Sequence, residues 1–137
     1  MPKITLPTGD LPLRAARPEE AHLVLGAIAK SAVFCTLPPA KYAKILPFFG
    51  LATVHGATTI VRKGERPGAL FMIVAGAVRV GPGRHGPGHT FGAINPDAEP
   101  CDATVRTVED ATLAVLLPAQ LKVLARAIPE LRMEEDE

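Results

Sequence analysis

The sequence predicts a single α+β domain with a sheet-rich centre, most simply a small antiparallel barrel or roll. Its 137 residues are an ordinary length for one domain. The 14 prolines and 12 glycines imply many turns between short elements. Apolar residues follow a helical period from about Pro18 to Leu51 and a strand-like period after it. Because aromatic residues make up only 4% of the chain, the core is expected to be aliphatic.

Two helices are expected before the sheet. Pro18 suits the first position of a helix, and the acidic residues Glu19 and Glu20 would then favour its dipole. The apolar stripe of this helix is Ala21, Val24, Leu25 and Ile28. A second helix is expected from Pro38 and Pro39, with an apolar stripe at Tyr42, Ile45, Leu46 and Phe49. The residues expected to fill the core between the two helices are Phe34 and Leu37.

Six short apolar runs predict the strands, at residues 52–55, 58–62, 70–75, 77–80, 103–108 and 111–117. In the fifth run Thr104 and Arg106 alternate with Val105 and Thr107, which predicts one wet face and one buried face.

The connections and the last helix follow from turn-forming residues. Glu109-Asp110 is expected to form a hairpin turn, and residues 81–88 a glycine-proline loop. Pro118 opens a final helix, which Pro129 would stop. Its apolar face would consist of Leu121, Leu124 and Ile128.

The chain divides into three parts by composition. Residues 1–17 are proline-rich without a clear period and are expected to be an extended or loosely packed arm. Residues 18–131 would form the single domain. Residues 132–137 form an acidic tail that is expected to fray.

Charge and hydropathy exclude several classes of function. A net charge of +1 gives no footprint for nucleic acid or an anionic membrane. No apolar run approaches the roughly 20 residues that span a bilayer. The first ten residues contain no apolar signal-peptide core, so the expected location is the cytoplasm. Cys35 and Cys101 are therefore expected to be reduced thiols.

A glycine pattern after the fourth run resembles a dinucleotide-binding motif. Gly81, Gly83 and Gly86 spell G-x-G-x-x-G, but that motif needs a helix directly behind it. Pro87 and Gly88 follow instead, which favours a simple loop.

Metal binding and catalysis receive no support from residue spacing. His85, His89 and Cys101 match no zinc pattern, so the two histidines are interpreted as loop residues. No histidine is placed in sequence to activate Cys101. We therefore expect no enzyme activity, no metal and no cofactor.

Several short motifs follow one another along the chain. They are Phe34 to Pro38, Ile60 to Glu65 and the run from Leu70 to Val80, and the last two contain Gly64 and Gly76. Over residues 31–131 this order resembles the cyclic-nucleotide-binding domain family. The resemblance implies an antiparallel β-roll, jelly-roll-like, of about six to eight short strands flanked by N-terminal helices and one C-terminal helix.

The same resemblance implies a phosphate-binding cassette between Phe91 and Val105. In the family a glutamate of this cassette binds the ribose, an arginine binds the phosphate, and a short helix offers its amides. Here Ala93 stands at the glutamate position and Cys101 at the arginine position. The stretch is one residue short, and Pro96 disfavours the helix.

The cassette is therefore interpreted as degenerate. Asp97, Glu99 and Asp102 also add negative charge where a phosphate would arrive. The degenerate pocket positions are Phe91, Gly92, Ala93, Ile94, Cys101, Asp102, Ala103 and Thr104.

The function expected from this combination is a non-catalytic regulatory or protein-interaction module that has lost cAMP and cGMP binding. Its partner would be a protein of unknown identity, or a second copy in a homodimer, and neither nucleic acid nor a membrane. The alternative is a ligand sensor that binds another nucleotide or small molecule in the altered pocket.

Overall fold

The computed structural model describes residues 3–6, 9–31, 37–64, 69–92 and 103–127. Three α-helices occur in this part of the chain, namely α1 (Ala21–Lys30), α2 (Tyr42–Ile45) and α3 (Pro118–Ala127). Its strands are β1 (Lys3–Leu6), β2 (Gly9–Pro12), β3 (Gly50–Val54), β4 (Thr59–Val61), β5 (Leu70–Ala75), β6 (Val78–Val80), β7 (Gly83–His85), β8 (Thr90–Gly92), β9 (Val105–Thr107) and β10 (Ala111–Leu116). Short 3-10 turns precede α1 and α2, at Pro18–Glu20 and Pro39–Lys41.

Eight of the described strands form two four-stranded antiparallel sheets. The sheet that we call inner has the order β3-β10-β5-β8, and the outer sheet has the order β4-β9-β6-β7. The chain passes repeatedly from one sheet to the other, as in a jelly roll. The antiparallel β-roll expected from the sequence is confirmed.

The inner sheet is covered on both faces, which explains the continuous apolar sequence of β5. Leu70, Met72 and Val74 face a core that also contains residues of all three helices. Phe71 and Ile73 point the other way, into a core between the two sheets. Alternate side chains of one strand point to opposite faces, so a strand between two cores needs an unbroken apolar run.

The first helix agrees with the sequence analysis, and the second differs from it. The first begins at Pro18 with a 3-10 turn and buries Val24, Ala27 and Ile28. The second is shorter than expected, because α2 gives way to a 3-10 turn at Leu46–Phe48. Pro47 lies in that turn and has no N–H to donate to an α-helical hydrogen bond.

Two of the expected connections are wrong. Glu109-Asp110 does not form a hairpin, because β9 belongs to the outer sheet and β10 to the inner sheet. Residues 81–88 are not a simple loop either, since β7 pairs with β6 in the register Val80 to Gly83. Gly81 has φ +58 and precedes Pro82. A positive φ at the first of two turn residues is what a two-residue hairpin requires.

The N-terminal segment is more closely packed than expected. Strands β1 and β2 form an antiparallel hairpin. Ile4 and Leu13 are buried in the core between the sheets. Arg14 exchanges two backbone hydrogen bonds with Leu51, of 2.9 and 2.7 Å. The division into an arm and a domain stays a prediction.

A bidentate ion pair joins this segment to the first helix. The two guanidinium nitrogens of Arg14 donate to the carboxylate of Glu20 at 2.6 and 2.8 Å. Glu20 also accepts from the backbone N–H of Arg17 at 2.9 Å. These hydrogen bonds lower the pKa of Glu20 to about 2.

Some expectations fall outside the described residues, namely those for Phe34, Ile128, Pro129 and residues 132–137. In the part of the chain that the structure describes, none of the helices is both long enough and apolar enough to cross a membrane.

The Arg14–Glu20 pair predicts a loss of stability in acid. Because the folded state holds the Glu20 pKa near 2, the contribution is complete above about pH 4.5 and is lost as the pH falls towards about 2. Glu20→Gln should lower the free energy of unfolding at pH 7 by about 1 kcal/mol, because the pair is partly exposed. Urea unfolding between pH 7 and 2.5 measures both effects. Glu19→Gln is the matched control, and an equal loss in that variant would contradict the assignment.

The backbone conformation of Gly76 predicts that this position tolerates no side chain. Its φ is +86, and an added Cβ would lie 2.5 Å from the carbonyl oxygen of Asp110. Gly76→Ala should therefore lower the free energy of unfolding by at least about 2 kcal/mol. Gly26→Ala on α1 meets no atom within 4 Å and should stabilise the protein, by up to about 1 kcal/mol. Similar unfolding midpoints for the two variants would refute this turn geometry.

Candidate functional site

The candidate site is the place where the chain leaves the inner sheet after β8 and enters the outer sheet at β9. Phe91 and Gly92 end β8, where they pair with Phe71 and Leu70. Ala103 lies just before β9 and is half-buried. The other candidate positions, Ala93, Ile94, Cys101 and Asp102, fall outside the described residues.

Phe91 belongs to a column of stacked rings. Its ring lies 5.1 Å from that of the buried Phe71, at an interplanar angle of 10°. The ring of His89 lies 6.4 Å from that of Phe91, and His89 in turn stacks on His85 at 3.9 Å and 9°. The column therefore runs from the core between the sheets to the half-buried histidines.

Backbone hydrogen bonds fix this column to the inner sheet. The N–H of Ile73 donates to the carbonyl of His89 at 3.0 Å, and the N–H of Gly88 donates to the carbonyl of Ile73 at 2.9 Å. These two bonds extend the pairing of β5 and β8. His89 and Phe91 lie two residues apart on this extended segment, so their side chains share one face.

The surroundings of His89 disfavour its protonated form. Burial lowers the pKa of His89, and the neighbouring His85 lowers it further. His85 ends β7 and is therefore a strand residue, not a loop residue. Among the described residues, no group of three histidine, cysteine, aspartate or glutamate side chains is placed to hold a metal ion.

The arginines nearest the candidate site in sequence make other contacts. Arg84 pairs with Glu109 at 3.1 Å on the surface. The Nε–H of Arg106 donates to the carbonyl of Ala57 at 3.2 Å. Both side chains are exposed on the solvent-facing side of the outer sheet. Neither side chain is directed at the ring column, and the interpretation of the cassette as degenerate stays a prediction.

Thr104 lies away from Phe91, on the outer surface. Its Oγ1 accepts from the backbone N–H of Lys63 at 3.1 Å. Thr104 and Ala103 help to line an open pocket of about 430 Å³. The other lining residues are Lys63, Arg79, Gly81, Pro82 and Arg106. That Phe91, Gly92, Ala103 and Thr104 belong to a degenerate pocket that binds no nucleotide stays a prediction.

Solved structures share the fold of this chain. A cyclic nucleotide-binding domain from Methylobacillus flagellatus KT is 17% identical, with a TM-score of 0.71 over 88% of this chain and 74% of its own. The cAMP complex of the regulatory domain of Toxoplasma gondii PKA is 17% identical, with a TM-score of 0.69 over 84% of this chain and 48% of its own. This protein has the fold of cyclic-nucleotide-binding domains.

A third structure of this fold is the catabolite activator protein of Thermus thermophilus. It is 25% identical, with a TM-score of 0.66 over 74% of this chain and 53% of its own. The chain thus spans about half the length of two of these three proteins. No protein-family model matches the sequence, and no curated protein matches it by sequence.

The cyclic-nucleotide-binding fold brings together residues that the sequence analysis did not connect. Phe71 and Phe91 are distant in sequence but adjacent in the β5–β8 pairing. Lys63, Arg79 and Arg106 come from three separate segments of the chain. Both β6 and β9 contain the dipeptide Val-Arg, and this repeat is the sequence signal that could have pointed to the arginines. Only the pairing of the two strands shows that Arg79 and Arg106 are neighbours.

The histidine pair predicts a pH-dependent stability. Because folding lowers the pKa of His89, the unfolded chain takes up the proton first, and the free energy of unfolding falls as the pH drops below about 6.5. His89→Phe should make this dependence shallower between pH 7.5 and 5, as measured by urea unfolding.

His85→Phe is the comparison variant. It removes the neighbouring charge but leaves the burial, which is the larger cause of the low His89 pKa. Most of the pH dependence should therefore remain in that variant. An unchanged slope in His89→Phe would show that this histidine is not the titrating group.

Proposed function

We propose that this protein is a non-catalytic regulatory or protein-interaction module that has the cyclic-nucleotide-binding fold and does not bind cAMP or cGMP. The observation that carries the proposal is that the arginines nearest the cassette in sequence, Arg84 and Arg106, lie on the face of the outer sheet that points away from the ring column. Cys101 stands at the arginine position, while Arg84 and Arg106 have other partners. The cytoplasmic location and the protein partner expected from the sequence belong to the same proposal.

The energetic cost of the missing side chains supports it. Removing one member of a buried charge pair typically costs about 2–5 kcal/mol of binding. This corresponds to a loss of about 30-fold to several thousand-fold. The ribose contact that alanine at position 93 does not make adds about 1–2 kcal/mol. A micromolar site would become millimolar or weaker.

Calorimetry with cAMP and cGMP tests the proposal. Neither nucleotide should bind more tightly than about 1 mM, because the ribose and the phosphate lack their charged partners. A micromolar dissociation constant for either nucleotide would overturn it.

A repaired variant serves as the comparison. Ala93→Glu with Cys101→Arg restores the two side chains but leaves Pro96, Asp102 and the shortened cassette. We expect little or no cAMP binding, since helix-start amides are also needed. Micromolar binding by this double variant would show that a competent pocket has been kept. That result would favour the alternative, a sensor for a different ligand.

A further inference from the structure

Three arginines lie side by side across the outer sheet. In the register of β6 and β9, Arg79 is directly opposite Arg106. In the register of β6 and β7, Arg79 is also directly opposite Arg84. Residues in such positions have Cβ atoms about 4.5–5.5 Å apart. The three arginine side chains therefore extend from neighbouring positions on one surface of the sheet.

This surface is the face of the outer sheet that points away from the core. Val78, Val105 and Thr107 are buried on the other face of the same strands. Arg79 and Arg106 occupy the alternating positions and are exposed. The arginine row is thus separated from Phe71 and Phe91 by the thickness of the outer sheet.

Among the described residues, the charge of this row is only partly neutralised. Like charges directly opposite each other destabilise a sheet. Arg84 has Glu109 as its counter-ion, at 3.1 Å. The Nε–H of Arg106 donates a hydrogen bond to the carbonyl of Ala57. Arg79, the central member, makes no ion pair or side-chain hydrogen bond to the described residues.

A pocket opens beside the central arginine. Its volume is about 430 Å³, within the range of small-molecule sites. Arg79, Arg106 and Lys63 all line it, and none of its described lining residues is acidic. Thr104 Oγ1 accepts from the Lys63 backbone N–H, so its own hydroxyl hydrogen is available to a ligand. Pro82 and Ala103 supply an apolar wall.

We propose that this pocket binds a small phosphate ester, with the phosphoryl group between Arg79 and Arg106. Arginine forks match the geometry of phosphate oxygens, and Lys63 adds a third positive charge. The Thr104 hydroxyl supplies a neutral donor. The wall formed by Pro82 and Ala103 accommodates the organic part of the ester.

The pocket shares Ala103 and Thr104 with the end of the cassette but opens on the outer surface, away from the ring column. It uses side chains on the wet face of the outer sheet, whereas the ring column lies between the two sheets. A protein that had lost cAMP binding in the roll would keep this pocket. The two proposals can therefore fail separately.

Titration with glycerol 3-phosphate, followed by NMR and calorimetry, tests the proposal. The Nε signals of Arg79 and Arg106 and the amide of Thr104 should shift with glycerol 3-phosphate and stay unchanged with glycerol. Arg79→Gln should weaken binding at least about tenfold, equivalent to about 1.4 kcal/mol. Higher salt should weaken it further.

Arg126→Gln on α3 is the matched control, because it removes the same charge from another exposed arginine. An equal loss of affinity in this variant would mean that the ester follows net charge and would overturn the site. No shift at up to about 10 mM ester would overturn it as well. A parallel titration with cAMP distinguishes the proposals, since binding in the roll would be unaffected by Arg79→Gln.

Discussion

The pairing of β5 with β10 is the contact on which both the helices and the outer sheet depend. Both strands lie at the centre of the inner sheet, and both are buried on their two faces. One face supports the helices and the other supports the outer sheet. A break in this pair would expose both cores at once, because each strand contributes side chains to both.

The sequence predicted local structure better than long-range pairing. The apolar run of β5 and the alternation of Val105 and Thr107 follow from period alone, and both agree with the structure. The turn at Glu109-Asp110 was misassigned because a crossing between sheets and a hairpin use the same residues. The β1–β2 hairpin was missed because few of its residues alternate clearly.

The candidate site shows the same limit. The positions of Phe91 and Ala103 followed from the family resemblance, but the partners of Arg84 and Arg106 did not. A side chain on a strand can reach a ligand on only one face, and that face is set by register. The comparison of Ala93 and Cys101 with the family pattern therefore needs only the sequence, whereas the structure is needed to locate the cations near the described part of the cassette.

The place of β10 in the inner sheet also has a consequence for synthesis on the ribosome. Thr112 of β10 lies opposite Thr53 of β3 and Ala75 of β5. These two earlier strands leave the ribosome long before the strand that joins them. Until Ala111–Leu116 emerges, β3 and one edge of β5 lack the strand that pairs with them, and only the other edge of β5 can pair with β8. Non-local pairing of this kind delays folding, and the nascent chain exposes strand edges during that delay.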